Sequence, residues 1–346
     1  MNCFSFPVAA PRVTRASAAG LALYMALAQL APAARAADDD GLFATTNANP
    51  FIQIYSLPSP SMAAASGPGR WAWRVELDIA NNALQENGDA SERVVLDGET
   101  YRSSFSLSRT LSDEWSGTVT VPLVAHGGGF LDGLVRDWHD LFGLTNSRRD
   151  EFRDGSLNYE YGRDGGDAFR LAERSRGVGD VRLMLDRKVH TADPRRRMSV
   201  RAGLKLPTGS SEDLHGSGST DVSLQWLGTD AATLAARRLT LAWMIGGLWL
   251  GDGEVLDGLR REFVAIGSLG VSRPVWGRVV ARLQLDGHSS FYDTALRPLG
   301  ARSVQLSFGA SIALARAGRI DVALIENLFT DTTPDVVLHL AWRGAF

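Results

Sequence analysis

The chain has 346 residues, of which 45% are hydrophobic and 22% charged, and its formal net charge is −3. This mildly acidic balance argues against nucleic acid as a partner, because surfaces that bind nucleic acid are normally basic. Beyond the N-terminus no stretch approaches the roughly 20 apolar residues that a transmembrane helix needs, which excludes a helical membrane protein.

Residues 1–36 have the composition of a secretory signal peptide. Arg12 and Arg15 supply a basic start, and a short apolar run follows over residues 18–31. Residues 34–36 (Ala-Arg-Ala) then form a small-x-small cleavage site. An N-terminal anchor helix is the alternative interpretation, although the apolar run is short for a bilayer. We therefore predict export.

The chain that follows the signal peptide is predicted to have two parts. Residues 37–69 are predicted to form an N-terminal periplasmic segment that plugs or caps the main domain, and residues 70–346 form that domain. Cleavage also removes Cys3, the single cysteine of the sequence. The exported chain then has no thiol for a disulfide or a thiolate metal site.

From residue 70 onward, apolar and polar residues alternate with the two-residue period of β-strands. Between Trp71 and Ile79 the odd positions are mostly apolar and the even positions mostly polar, and residues 277–288 and 302–314 repeat the pattern. The second face carries small polar residues and opposed charges, as a barrel interior does. The pattern predicts an all-β fold, a closed antiparallel transmembrane β-barrel in the outer membrane. A soluble periplasmic β-protein is the alternative.

About twelve segments carry this pattern. They are residues 70–80, 99–110, 115–125, 178–189, 196–206, 219–228, 237–250, 262–273, 277–288, 301–314, 318–328 and 335–346. The connections between them are alternately long and short, beginning with a long one at 81–98, as expected for outer loops and periplasmic turns. Segments 156–162 and 167–172 either raise the number to about fourteen strands or form a hairpin within the longest loop.

The longest connection, residues 126–177, contains an amphipathic pattern after three consecutive glycines. Its apolar residues recur near helical spacing at Phe130, Leu134, Trp138 and Phe142. The pattern predicts one short amphipathic helix in this extracellular loop. The helix lies across the barrel rim, acts as a lid or constriction at the entrance, or rests on the outer leaflet.

The last segment has the form of an outer-membrane assembly signal. Leu340 and Trp342 alternate with polar or small residues, and the chain closes on Phe346. Gly344 departs from the bulky residue usual at that position. The predicted partners are therefore outer-membrane lipid and the barrel assembly machinery, together with a small solute of unknown identity.

Charged residues on the inward face of the predicted strands are the candidate functional residues. Opposed charges either pair across strands and fill the interior or line a passage, and a barrel of about twelve strands allows both. The predicted lumen-facing residues are Arg74, Glu76, Asp78, Asp180, Arg182, Lys205, Arg278, Arg282, Asp286, His288 and Arg343.

His288 and Ser290 are the candidate catalytic pair, because their spacing resembles the histidine-x-serine pairing of outer-membrane phospholipases. A serine nucleophile needs a base within hydrogen-bond reach. However, strand parity turns His288 toward the lumen, whereas the phospholipase site faces lipid. The six histidines show no metal-ligand spacing, and no metal or cofactor is predicted.

Four segments of the chain together resemble those of one known family. They are Asn49-Pro50-Phe51, residues 128–144 with the following 148–150, KLPTG at 205–209, and the closing residues 326–343. The family is domain-of-unknown-function family 3187, an uncharacterised Gram-negative outer-membrane family. KLPTG is also similar to barrels of phenol degradation or aromatic uptake. The resemblance implies an outer-membrane barrel of unknown activity and supplies no catalytic residues.

The leading hypothesis is a non-enzymatic, porin-like channel or carrier for small solutes, including apolar or aromatic ones. An outer-membrane lipid-modifying enzyme that uses His288 and Ser290 is one alternative. A structural barrel with a filled lumen is the other.

Overall fold

The computed structural model describes residues 41–61, 67–88, 92–131, 133, 155–164, 166–314, 318–328 and 332–346. The predicted signal peptide lies outside the described residues, as does most of the predicted loop helix. Among the described residues no helix is long and apolar enough to cross a membrane.

Within the described ranges, fifteen strands form a single sheet. They are β1 (Trp71–Asn87), β2 (Glu92–Thr110), β3 (Trp115–Gly127), β4 (Asn158–Arg163), β5 (Gly166–Leu171), β6 (Ser175–Val178), β7 (Val181–Val189), β8 (Arg196–Leu206), β9 (Asp221–Asp230), β10 (Thr240–Trp249), β11 (Phe263–Trp276), β12 (Val279–His288), β13 (Ser303–Leu314), β14 (Gly318–Asn327) and β15 (Val336–Ala345). The described residues also include two short helices, α1 (Pro50–Gln53) and α2 (Arg297–Gly300), and a 3₁₀ turn at Ala235–Arg237.

Twelve of these strands form a closed antiparallel barrel. Around the wall each strand pairs with its neighbours in sequence, with β3 next to β7 because β4–β6 stand outside the ring. The ring closes where β1 pairs with β15, from Ala72 opposite Ala345 to Asn81 opposite Val336. Closure leaves no free strand edge in the wall, which is the condition for spanning lipid with strands. The predicted fold is confirmed.

Segments 156–162 and 167–172 do not enter the wall, so the barrel has twelve strands and not fourteen. They form the hairpin β4–β5, which pairs with β2 over Glu92–Asp97, beyond the part of β2 that contacts β3. The short β6 pairs with β3 in the same way. These strands build up one side of the barrel beyond its rim.

The prediction that residues 81–98 form the connection between the first two strands is wrong. The β1–β2 ribbon stays paired as far as Asn87 opposite Arg93, and only residues 88–91 connect the two strands. Sequence alternation weakens there because this part of the ribbon packs against loops and β4 on its faces and edge. Both faces of the ribbon therefore have neighbours, and the strict polar–apolar period is lost.

The barrel has two different ends. At one end short connections such as 111–114 and 277–278 join the strands, and we call this the turn end. At the other, which we call the loop end, lie the long connections and the hairpin β4–β5. In bacterial barrels the short turns are periplasmic and the long loops extracellular.

The outer face of the wall is apolar. Leu183 and Leu185 on β7 are 38% and 42% exposed, and Leu224 and Trp226 on β9 are 48% and 47% exposed. The residues between them point inward and are buried. Exposed apolar side chains recur on successive strands and form a continuous band. Such a band is unfavourable in water but suits contact with lipid.

Gly344 makes room for an aromatic pair on this outer face. The indole rings of Trp73 and Trp342 meet edge to face with their centroids 4.7 Å apart. A Cβ at Gly344 would lie 2.9 Å from the Trp73 ring. The close approach of this indole explains why the chain departs here from the bulky residue expected near the end of a barrel.

Leu269, in the middle of β11 and 57% exposed, tests the assignment of the lipid face. We expect Leu269→Arg to lower the free energy of unfolding by about 2–4 kcal/mol, because a charge on the lipid-facing wall must be buried near the bilayer midplane. The measurement is urea-dependent unfolding in lipid vesicles. Arg278→Ala, in the exposed turn before β12, is the control and should change it by less than about 0.5 kcal/mol. An unchanged Leu269→Arg protein would mean that this face meets water.

Candidate functional site in the barrel lumen

Residues 41–61, which we call the lumen segment, run inside the barrel. Nearly all of them are buried, although only α1 has regular structure. The segment begins near the turn end, where Gly41 lies against Ala242 and Thr229. It turns at α1 near the loop end and returns, so that Ser61 contacts Arg74. The segment therefore has a rising limb (residues 41–48), a tip that contains Asn49 and α1, and a falling limb that runs from Gln53 to Ser61.

The rising limb lies in register with β12. Successive inward side chains of β12, which are two residues apart, bind positions 42, 43, 45 and 47 of the limb in the same order. The contacts are Arg282 Nη1 to the Leu42 carbonyl at 3.0 Å, Gln284 Oε1 to the Phe43 amide at 2.6 Å, Asp286 to the Thr45 hydroxyl at 2.9 Å, and His288 Nε2 to Asn47 Nδ2 at 2.8 Å. Because each contact uses an inward position of one strand, the alternation of β12 fixes where the limb runs.

The tip of the lumen segment is the Asn-Pro-Phe motif and the single turn of α1. The Asn49 side chain caps the helix by accepting from the Phe51 amide at 3.0 Å, and Pro50 suits the first helical turn because it has no N–H to satisfy. Asn49 also donates to the Pro298 carbonyl, and Tyr292 donates to the Phe51 carbonyl at 2.8 Å. The motif thus attaches the tip to the β12–β13 loop.

The falling limb is held by arginines. Arg102 on β2 donates to the Gln53 carbonyl and to the Ser56 hydroxyl, each at 3.2 Å. Arg182 on β7 donates to the carbonyls of Ser56 and Leu57. Ser56 itself has a left-handed backbone (φ 47°), which turns the chain back toward the turn end.

Lower in the falling limb two more arginines make similar contacts. Arg201 on β8 donates to the Ser59 carbonyl at 2.9 Å, and Arg74 donates to the Ser61 hydroxyl. Side chains of four different strands therefore hold this limb through its backbone oxygens and its serine hydroxyls.

Buried ion pairs line the inner face of the wall around the segment. Lys205 Nζ lies 2.7 Å from Asp180 and 2.8 Å from Asp221, with all three side chains at most 4% exposed. Arg201 pairs with Asp186 at 2.8 Å. These pairs join neighbouring strands from inside, and they survive burial because each charge has an opposite partner.

Apolar side chains close the loop end above the tip. They come from the tip itself, the hairpin β4–β5 and the long loops, and include Phe51, Tyr55, Tyr159, Leu256, Phe291 and Leu299. Tyr55 stacks on Phe291 with ring centroids 5.1 Å apart. Together with the lumen segment, these side chains fill this end of the barrel.

His215, in the β8–β9 loop, belongs to the same closed end. Its ring stacks on His126 at 5.7 Å, and its Nε2 lies 3.0 Å from the Ser175 hydroxyl. Burial lowers the pKa of His215, and the nearby Asp213 carboxylate opposes this in part. The imidazole is therefore neutral at pH 7 and acts as a packing group.

Most of the predicted lumen-facing residues lie inside the barrel. Glu76, Asp180, Arg182, Lys205, Arg282, Asp286, His288 and Arg343 are buried, and Arg74 and Asp78 are half-buried. Arg278 is different, because β11 ends at Trp276 and a turn at Gly277 (φ 48°) leaves Arg278 exposed at the barrel end. The prediction that Arg278 faces the lumen is therefore wrong, because the turn interrupts the alternation at this residue.

His288 and Ser290 are not brought together as a catalytic pair. His288 donates from Nδ1 to the Ser289 carbonyl at 2.8 Å, so its Nε2 is the acceptor of the Asn47 amide. Both ring nitrogens are thus used in the lumen, on the opposite side of the wall from lipid. Among the described residues no group of three His, Cys, Asp or Glu side chains is arranged to hold a metal ion.

The predicted lid is described only at its beginning. Phe130 is 70% exposed, while Leu131 packs against Val336. The Glu99 carboxylate accepts from the Phe130 amide at 2.8 Å and fixes the start of this loop. Leu134, Trp138 and Phe142 lie outside the described residues.

The C-terminal strand is placed as its alternation requires. Leu340 and Trp342 lie on the outer face of β15, and Phe346, 44% exposed, exchanges backbone hydrogen bonds with Trp71 across the closing seam. Recognition of these residues by the assembly machinery stays a prediction.

Arg102 and Gln284 hold the lumen segment but were not singled out from the sequence. Arg102 stands on β2 among alternating serines, and its inward parity was the available signal. Gln284 binds the Phe43 amide and the Thr45 hydroxyl, but a neutral side chain carries no mark of function in a sequence.

A family model described as "Protein of unknown function (DUF3187)" matches residues 20–346. The chain belongs to this family. The family predicted from the Asn-Pro-Phe, KLPTG and C-terminal segments is thereby confirmed. No curated protein matches the chain.

Solved structures similar to this member of the family include outer-membrane barrels. The COG4313 outer membrane channel from Pseudomonas putida F1 matches with a TM-score of 0.53 and 14% identity, over 82% of this chain and 97% of that one. The P. putida toluene transporter TodX matches with a TM-score of 0.36 and 10% identity, over 89% and 98%. The NanC porin matches with a TM-score of 0.42 and 7% identity, over 79% and 98%. The first likeness shows a shared barrel fold, and the protein is an outer-membrane β-barrel.

Proposed function

We propose that the protein is a gated channel for small solutes, in which the lumen segment is the gate. The observation that carries the proposal is the mode of attachment of this segment. It crosses the lumen twice without joining the β-ladder of the wall, and its limbs are held mainly by side chains that reach its backbone. Its departure would leave the twelve-stranded wall intact.

The energetics of this attachment suit a gate. A hydrogen bond to a neutral side chain contributes about 0.5–1.5 kcal/mol net and one to a charged group about 1.5–3 kcal/mol. Several such contacts close the lumen firmly, yet each one is replaceable by water when the segment leaves. Both limbs also run to the turn end, so the segment can withdraw without passing the apolar loop end.

A structural barrel with a permanently filled lumen is the second candidate, and the ion pairs inside the barrel favour it. These ion pairs stabilise the wall around the segment. However, they link one strand to the next and do not depend on the segment. The two candidates differ in one measurable property, which is solute flux.

Gln284→Ala in the full-length protein distinguishes them. The substitution removes the side chain that binds the Phe43 amide, the Phe43 carbonyl and the Thr45 hydroxyl, without changing the charge of the lumen. We expect at least about a tenfold higher open probability in planar bilayers, since two or three hydrogen bonds are lost from the closed state. Ser116→Ala, near the turn end and away from the segment, is the control. Folded Gln284→Ala protein that stays silent would favour the filled structural barrel.

The proposal includes no enzymatic activity. A lipid-modifying reaction would need His288 as a base on the lipid side of the wall, whereas its ring nitrogens bind Asn47 and the Ser289 carbonyl within the barrel. The barrel assembly machinery and membrane lipid are the partners expected during insertion.

A further inference from the structure

Arg102 and Arg182 are inward cations with an unusual set of partners. Both guanidinium groups are buried, and the hydrogen bonds that they donate go to uncharged oxygens of Gln53, Ser56 and Leu57 in the falling limb. Among the described residues no carboxylate oxygen lies within 4.0 Å of either group. Their acceptors in the closed barrel are therefore supplied by the lumen segment.

The acidic side chains near this pair are already matched with other basic groups. The pairs are Asp180 with Lys205 at 2.7 Å, Asp78 with His339 at 2.6 Å, and Glu76 with Arg74 at 3.6 Å. Withdrawal of the lumen segment would leave two guanidinium groups in a narrow polar lumen without their acceptors. Such charges recruit an anion, because an uncompensated charge away from bulk water is costly.

An apolar surface adjoins the cations. A small cavity of about 20 Å³ is lined by Arg182 and Lys205 together with Tyr55, Met184 and Leu248. The Tyr55 ring belongs to the lumen segment and lies 5.9 Å from Lys205 Nζ. When the segment leaves, the ring vacates an apolar place directly beside the cationic groups.

We propose that Arg102 and Arg182 form the selective site of the open channel and bind the carboxylate of a small organic acid with an apolar body, such as an aromatic carboxylate. The oxygens of Ser56 and Leu57 occupy in the closed state the positions that carboxylate oxygens take in the open one. The planar fork of arginine suits this exchange, since it binds two oxygens of one carboxylate at once. The apolar body takes the place of the Tyr55 ring. This inference rests on the proposed channel function and names its substrate class.

The experiment compares two full-length variants that both weaken the closed state. Arg102→Gln/Arg182→Gln removes segment contacts together with two lumen charges, whereas Gln284→Ala removes segment contacts and no charge. Reversal potentials are measured in planar bilayers under gradients of potassium chloride and potassium benzoate. We expect Gln284→Ala to pass anions over potassium and benzoate over chloride. In Arg102→Gln/Arg182→Gln the benzoate preference should fall about tenfold or more, as loss of a charge-assisted hydrogen bond predicts.

The possible outcomes separate this inference from the function on which it rests. Benzoate preference kept in Arg102→Gln/Arg182→Gln would mean that the arginines only hold the segment, and would overturn the site. Cation selectivity of Gln284→Ala, or equal passage of chloride and benzoate, would overturn it as well while leaving the channel standing. If neither variant conducts, the channel function fails and the site fails with it. Arg102→Lys/Arg182→Lys should keep anion selectivity but lose part of the benzoate preference, because lysine lacks the planar fork.

Discussion

A disulfide between positions 45 and 307 should close the channel, and a reductant should open it again. The hydroxyls of Thr45 in the rising limb and Ser307 on β13 lie 3.3 Å apart, so cysteines at these positions place their sulfurs within reach of a bond. In the Gln284→Ala background, with Cys3→Ser to remove the native thiol, we expect conductance to vanish on oxidation. Dithiothreitol should restore it in the same bilayer.

The physical reason is that a covalent bond replaces contacts that thermal motion can break. The disulfide between positions 45 and 307 holds the rising limb midway along β12, between the contacts at Phe43 and Asn47. The single variant Ser307→Cys in the same background cannot form the bond and should conduct equally with and without reductant. Full conductance of protein whose thiols are shown to be oxidised would rule out the lumen segment as the gate.

Lys205→Met should be the most destabilising single substitution among the lumen ion pairs. The ammonium group lies between the carboxylates of Asp180 and Asp221, and its removal leaves two buried negative charges close together. Breaking a buried pair in this way costs about 3–5 kcal/mol. We expect this loss in the free energy of unfolding, measured by urea titration in lipid vesicles and followed by tryptophan fluorescence.

An exposed ion pair of the same barrel provides the comparison. Arg196 lies 3.3 Å from Asp230 near the turn end with 48% of its side chain exposed, so Arg196→Met should cost less than about 1 kcal/mol. Lys205→Met/Asp221→Asn should recover part of the loss, because one of the two stranded charges is then neutral. Equal stability of Lys205→Met and Arg196→Met would show that water enters this part of the lumen.

The barrel wall could be predicted from the sequence because alternation reports directly on the two environments of a strand. Along β9, Val222, Leu224 and Trp226 face lipid while Ser223 and Gln225 face the lumen, and no distant contact is needed to see this. Alternation is not informative where a strand has neighbours on both faces, as in residues 81–98, or where a turn ends the period, as at Arg278.

The path of the lumen segment could not be predicted in this way. Residues 41–61 have no period of their own, since their direction is set by partners on other strands. Thr45 meets Asp286, which is 241 residues away, and a single sequence carries no sign of that pairing. Function in this barrel depends on such long-range contacts, so the charges were located from the sequence but their partners were not.

The two limbs of the lumen segment leave by the same end of the barrel, and this gives the closure a mechanical direction. Traction on Gly41 from the turn end would load the contacts of the rising limb one after another, beginning with the Leu42 carbonyl on Arg282. Pressure from the loop end would instead press the tip, its capping Asn49 and both limbs against their holders at the same moment. The barrel should therefore yield to a weak pull from one side of the membrane and resist a much stronger push from the other.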